Sequence, residues 1–383
     1  MGGFSMNKIY INETLTKEPQ KQGPLTGYTF AMKDVIALAG HKNSAGNPDW
    51  LLTHEIEEKT APVIKQLLGS GATLKGVTHT DELMYSLNGE NIHYGTPPNP
   101  LNRNCIPGGS SSGSASAAIE RDFTIGTDTG GSIRVPSSYC GLFGIRPTHN
   151  AISLEGVIPL APSFDTIGWM STSSRVLKEV GDVLLRDDIT DFKHIFLDSQ
   201  AWDFLSRSDS ELLQFALGDL PTETKPITGM LADWATLFRT IQGIEIWQTH
   251  GEWVTKVQPS FAPAIAERFA WASTLDVTRY DALKTEQKKI TAYLKDQLGD
   301  NGVVVIPTTA SVAPRKKASL DEVEAVRTKT MQLTCIAGLV GFPQVTVPVL
   351  REDGLALGLS FIANKGQDRS LLHLVDSYFE GVI

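Results

Sequence analysis

The sequence predicts an α/β protein built on one β-sheet to which both ends of the chain contribute strands. Three observations carry this expectation. Apolar and β-branched runs lie near the N-terminus (28–38 and 73–78) and again near the C-terminus (302–308, 342–349 and 357–363). Much of the chain between them reads as helix, above all 241–295. Hydrophobic residues make up 41 % of the 383, ample for a core in which helices bury the apolar faces of a sheet.

Taken in order, residues 1–5 precede a second methionine, Met6, and read as an addition ahead of the native start. Residues 1–24 form an N-terminal segment, and 25–383 form the domain. The run 28–38 predicts a strand, nearly apolar apart from Lys33 and Asp34, in which Lys33 stands out. On pattern alone Lys33 is either a strand-end lysine reaching solvent or a desolvated lysine with a lowered pKa, fit to act as a general base. A helix over 60–69 ends at glycine, a strand follows over 73–78, and 81–86 reads as a helix start or turn. Asn, Gly and Pro make 88–100 a loop. Small residues over 112–119 form a closely packed helix, and 123–125 a short strand. Gly156, Pro159 and Pro162 make 151–169 largely loop. An amphipathic helix spans 175–185. The polar stretch 187–226 reads as the least ordered part of the core, and it opens a region, 187–300, that is otherwise helical with breaks at Pro259 and Pro263. Trp234, Phe238, Trp247, Trp253 and Trp271 cluster there and read mostly as packing between helices. Strands over 302–307, 342–349 and 357–363 and a helix over 370–379 complete the chain.

The stretch 105–148 organises the rest. It holds two Gly-Gly-Ser turns, Gly108-Gly109-Ser110 and Gly130-Gly131-Ser132, joined by the small-residue helix and the short strand. Glycine pairs let a backbone approach a ligand closely, and hydroxyls on such turns are placed as a nucleophile and its relay must be. A phosphate-binding loop is excluded, because no Gly-Lys-Ser/Thr follows either turn. A nucleophile elbow around Ser111 formally fits G-x-S-x-G, but needs a strand leading into it. Pro107 and Gly108 argue against that strand.

The strings G-G-S-S-S-G-S-A (108–115), G-T-D-T-G-G-S-I-R (126–134) and Y-C-G-L-F-G-I-R-P-T (139–148) resemble, in order, the core of the amidase signature family. F-A-M-K-D (30–34) and S-F-D-T-I-G (163–168) extend the resemblance, which runs from about residue 25 to the C-terminus. It implies one large mixed sheet with helices on both faces, with a catalytic core over 28–170 and a helical substrate-side region over about 187–300. It also implies a triad of Ser132 as nucleophile, Ser110 as relay behind a cis Gly109–Ser110 bond, and Lys33 as base. The backbone N–H groups of Thr129, Gly130, Gly131 and Ser132 would then hold the oxyanion, and Met84 and Tyr85 would wall the acyl side, unless those two serve only the core. Asp128 and Arg134 either brace the oxyanion turn or form a surface ion pair. The linker around 119–122 is slightly shorter than the family pattern, which bears on helix length and not on the catalytic turns. Outside the core, G-N-P-D-W-L (46–51), Y-S-L-N-G-E-N-I-H-Y-G-T-P (85–97), H-G-E-W-V (250–254) and I-A-G-L-V-G-F (336–342) resemble most closely the indole-3-acetamide hydrolase branch.

The expected activity is hydrolysis of a small carboxylic amide, an arylacetamide such as indole-3-acetamide being the candidate, to acid and ammonia through an acyl-enzyme. Two other readings stay open: the amidase subunit of a multi-subunit amidotransferase, and a binding module that keeps the fold. The net charge of −9 and a pI near 5.4 disfavour a nucleic-acid partner. No apolar run approaches 18 residues, so no membrane span is expected. Three cysteines, Cys105, Cys140 and Cys335, make no disulfide framework and point to the cytoplasm. The eight histidines, His79 and His93 included, show no metal-site spacing, and neither metal nor organic cofactor is expected. The partner is a small-molecule amide, and a homodimer is one option for assembly.

Overall fold

The computed structural model describes residues 9–380. The reading of 1–5 as an addition lies outside the described residues. Eleven strands form one sheet: β1 (Tyr10–Lys17), β2 (Thr29–Lys33), β3 (Thr73–Thr78), β4 (Phe123–Asp128), β5 (Phe143–Arg146), β6 (Thr166–Ser171), β7 (His194–Asp198), β8 (Thr222–Lys225), β9 (Gly302–Pro307), β10 (Gln344–Leu350) and β11 (Ala356–Ile362). Their order is β1-β3-β2-β4-β6-β5-β10-β11-β9-β7-β8. Both ends of the chain thus meet in the middle of the sheet, where β5 pairs with β10. The sheet is mixed. β3-β2-β4 and β9-β7-β8 pair in parallel and the central strands antiparallel.

Every residue of β4, β6, β9 and β11 is buried, so both faces of these strands are covered. Gly168 and Trp169 identify the cover on each side, since neighbours on a strand point to opposite faces. A side chain at Gly168 would meet Ile133, at the start of the helix Arg134–Cys140. Trp169 donates its indole N–H to Leu177 O, 2.8 Å away, in the helix Ser174–Leu184.

Three expectations need correcting. Residues 10–17 belong to the sheet, because β1 pairs antiparallel with β3, so the domain does not begin at 25. This strand is a largely polar edge, with only Tyr10 buried, and a polar edge strand carries no apolar signal. Within 187–226, β7 and β8 are regular parallel strands rather than the loosest part of the core. The strand read over 28–38 ends at Lys33. The next residues turn, with Val35 N–H and Ile36 N–H both donating to Lys33 O.

That early end sets up the site. β2 and β4 run parallel as neighbours, so Lys33 and Asp128 both sit at carboxyl ends on one edge of the sheet. Crevices at such edges are where open α/β sheets bind ligands.

A side chain at Gly168 would place its Cβ 2.4 Å from the fixed carbonyl oxygen of Ile145 in β5. Gly168→Ala is therefore expected to cost about 1–3 kcal/mol, read by urea denaturation. An unchanged midpoint would contradict this packing of β6.

Candidate active site

Lys33 is fully buried. Its Nζ lies 2.8 Å from Ser110 Oγ, 3.1 Å from Ser111 Oγ and 2.9 Å from Thr127 Oγ1. Burial pushes its pKa down to about 7, although Asp81, Asp128 and Asp165 pull the other way. The surrounding hydroxyls then fix direction. Ser111 donates its own proton to Thr127 O (3.1 Å), and Thr127 donates to the Met84 sulfur (3.7 Å). Both oxygens therefore receive N–H groups from Lys33. Lys33 Nζ donates to Ser110 Oγ as well; once neutral, with two N–H groups and one lone pair, the amine can accept the proton of Ser110 instead.

The peptide bond between Gly109 and Ser110 is cis. Ser110 O accepts from Thr80 Oγ1 (2.9 Å) and from the Asp81 N–H (3.3 Å). The Asp81 carboxylate accepts from Gly89 N–H (2.9 Å) and Ser112 Oγ (3.1 Å), and burial raises its pKa. A Cβ at Gly109 would sit 2.4 Å from this carboxylate, so only glycine fits there.

The second turn is braced by Asp128, which is buried and no surface ion pair. Arg134 reaches it with Nη2 (2.8 Å) and Nε (3.0 Å), and Arg146 with Nη1 (3.0 Å). Gly131 N–H and Ile133 N–H each donate to it at 3.0 Å. Burial alone would raise its pKa, but the two guanidinium groups outweigh that and hold the carboxyl well below its usual range. Asp165 accepts from Thr129 Oγ1 (2.6 Å) and fixes the front of the turn. Ser111 N–H donates to Ser132 O (3.3 Å), which ties the two turns together.

Ser132, Thr129 and Gly130 open onto one cavity, with Met84 and Tyr85 in its wall beside Leu87, Leu160 and Met331. Both aromatic and thioether side chains expected on the acyl side are therefore at the site. Lys33 and Ser110 lie behind the cavity, out of contact with solvent. Gly131 departs from expectation. It is not in the cavity wall, and its N–H is committed to Asp128, whereas the N–H groups of Thr129, Gly130 and Ser132 have no acceptor among the described residues. No hydrogen bond joins Ser110 Oγ to Ser132 Oγ among the described residues, and Ser110 Oγ lies against Lys33 Nζ.

Several residues of the site went unread in the sequence. Ser111 and Thr127 stand inside the motif strings, but nothing in their spacing marks them as partners of a lysine. Gln242, Trp271 and three arginines come from helices far along the chain. Trp271, read as helix packing, contributes to the cavity wall.

A buried lysine bonded to one glycine-flanked serine, with a second serine opening onto a cavity beside backbone N–H groups, is an arrangement suited to acyl transfer. The comparisons with known proteins narrow the class. The chain belongs to the amidase family, whose family model matches residues 9–218. Amidase 1 of Arabidopsis thaliana is 37 % identical over 98 % of this chain and 97 % of its own length. Translocon at the outer membrane of chloroplasts 64 of Pisum sativum is 32 % identical over 99 % of this chain and 70 % of its own. A crystal structure of an amidase superposes with a TM-score of 0.82 at 24 % identity, covering 92 % of this chain and 84 % of that one. The protein is an amide hydrolase with the amidase fold.

Removing the charge of Asp128 leaves two buried guanidinium groups uncompensated. Asp128→Asn is expected to lower stability by about 3–5 kcal/mol, measured by denaturant titration. A loss below about 1 kcal/mol would show that the pair with Arg134 is dispensable.

Proposed function

We propose that the protein hydrolyses a small carboxylic amide to acid and ammonia with Ser132 as nucleophile, Ser110 as relay and Lys33 as base. The observation that carries this reading is the set of contacts around the buried Lys33 Nζ, which places Ser110 Oγ 2.8 Å from an amine whose pKa burial lowers to about 7. As substrate enters, Ser110 Oγ turns to Ser132, passes its own proton to Lys33 and takes the proton of Ser132 as Ser132 Oγ attacks the carbonyl. Catalytic hydrogen bonds are often incomplete without substrate. The oxyanion is held by the N–H groups of Thr129, Gly130 and Ser132. Lys33 returns its proton through Ser110 to the leaving nitrogen, ammonia departs, and water hydrolyses the acyl-enzyme over the same relay.

The apolar part of the wall, formed by Met84, Tyr85, Leu87, Leu160, Trp271 and Met331, supports a flat arylacetyl group, with indole-3-acetamide as the candidate. The buried free thiols of Cys105, Cys140 and Cys335 support a reducing compartment, and cytoplasmic residence belongs to this reading. Among the described residues no helix is long and apolar enough to cross a membrane.

Ammonia release from indole-3-acetamide and from small aryl and aliphatic amides tests the reading. Ser132→Ala should reduce kcat by about 10³-fold or more, and Lys33→Ala the acylation rate by about 10²–10⁴-fold. Full activity of either variant would refute the triad. The neutral lysine is the working form, so kcat/KM should rise with pH through an inflection near 7 and be lost below it as Lys33 takes up a proton. A profile flat from pH 5.5 to 9 would remove Lys33 from the role of base.

A further inference from the structure

Three arginines meet in the cavity that contains Ser132, and each comes from a different helix. Arg239 lies on Leu231–Val257, Arg268 on Pro263–Ser273 and Arg327 on Leu320–Val340. Arg239 and Arg327 also line an adjoining cleft. Among the described residues no aspartate or glutamate lines either space.

The three cations are not equivalent. Arg327 is neutralised by Glu324, which accepts from its Nη2 and Nε at 2.7 and 2.8 Å. Arg268 has no carboxylate partner among the described residues. Its Nη1 donates to Tyr85 O at 2.6 Å. Burial, reinforced by the charge of Arg327, pushes its pKa down to about 10. Arg239 also has no ion pair among the described residues. Its guanidinium carbon stands 5.2 Å from the centre of the Trp271 ring. Glu324 also acts on Arg268 and Arg239 at longer range, and Asp81 on Arg268. Half-buried Arg268 and exposed Arg239 thus border the space next to Ser132 without a contacting carboxylate of their own among the described residues.

A half-buried cation without a partner is costly, and a neutral substrate leaves that cost in place. A guanidinium fork matches a carboxylate in shape and charge. We propose that the substrate is an amide that also bears a carboxylate, with Arg268 and Arg239 holding that carboxylate while the apolar wall holds the rest. This inference rests on the reading that Ser132 attacks an amide in this cavity. It goes beyond that reading by giving the substrate a charge, and it makes a neutral arylacetamide the poorer ligand. The carboxylate belongs either to the acyl part, with ammonia leaving, or to an amine part, in which case the amide is secondary and an amino acid leaves in place of ammonia.

Two matched pairs of compounds separate these arrangements. 4-(2-Amino-2-oxoethyl)benzoate against phenylacetamide places the charge on the acyl side. N-(Phenylacetyl)glycine against N-methyl-2-phenylacetamide places it on the amine side. Binding is measured by calorimetry on the Ser132→Ala protein. The anionic member of one pair is expected to bind roughly 10- to 100-fold more tightly than its neutral partner, and the pair that responds identifies the side. Adding Arg268→Gln should bring the two members near parity. Arg239→Gln, which removes no hydrogen bond within the protein, should reduce the preference severalfold and keeps the test informative if Arg268→Gln fails to fold. Parity within both pairs, or a preference untouched by the substitutions, would overturn the inference. Hydrolysis is followed separately with the unsubstituted enzyme. Failure to cleave any of the four amides would count against the Ser132 reading, while the binding comparison would still decide the anion site.

Discussion

The site depends on removing one ammonium group from water. Lys33 stands at the carboxyl end of β2, where the parallel neighbour β4 supplies Thr127 and the helix Ser112–Ala117 packs close enough to bring Ser110 and Ser111 onto the same nitrogen. A lysine in water holds its proton far above neutrality and cannot serve as a base. Desolvation lowers that affinity, and three hydroxyl groups replace water without adding negative charge. Three buried carboxylates oppose the shift, so the balance rests on their distance from Nζ and on the dryness of the site. The inner strands of the sheet, covered on both faces, provide that dryness.

Asp128 plays the complementary part for the second turn. It is a buried anion, and its cost is offset by Arg134 and Arg146 and by backbone N–H groups of the turn itself. Arg134 also donates from Nη1 to Thr334 O at 2.6 Å and to Gln344 Oε1 at 2.7 Å, residues about 200 positions further on. The second Gly-Gly-Ser turn is thereby locked to the C-terminal half of the sheet. One consequence is chemical: Asp128 takes the N–H of Gly131, while those of Thr129, Gly130 and Ser132 have no acceptor among the described residues.

Much of this was legible in the sequence, for identifiable reasons. The strands at 73–78, 302–307, 344–350 and 356–362 are short β-branched or apolar runs, which is what strands buried on both faces require. The two Gly-Gly-Ser turns stand out by their glycines, and Lys33 as a charge in a nearly apolar run. The edge strands β1 and β8 are polar and left no such mark. The partners of Lys33 were not legible either. Thr127 is one hydroxyl residue inside a strand, and its contact with Lys33 follows from the parallel register of β2 and β4, which no local pattern encodes. Arg239, Arg268 and Arg327 meet only because three helices converge over the carboxyl edge, and in sequence each is an ordinary charge on a helix.

The central claim is that burial brings the pKa of Lys33 down to about 7, and direct titration of its side-chain nitrogen tests it most plainly. In protein labelled with ¹⁵N-lysine, with the Nζ resonance assigned by its loss in Lys33→Arg, the account predicts a midpoint near 7. A Lys33 that keeps its proton to above about pH 10, as an ordinary lysine does, would contradict it.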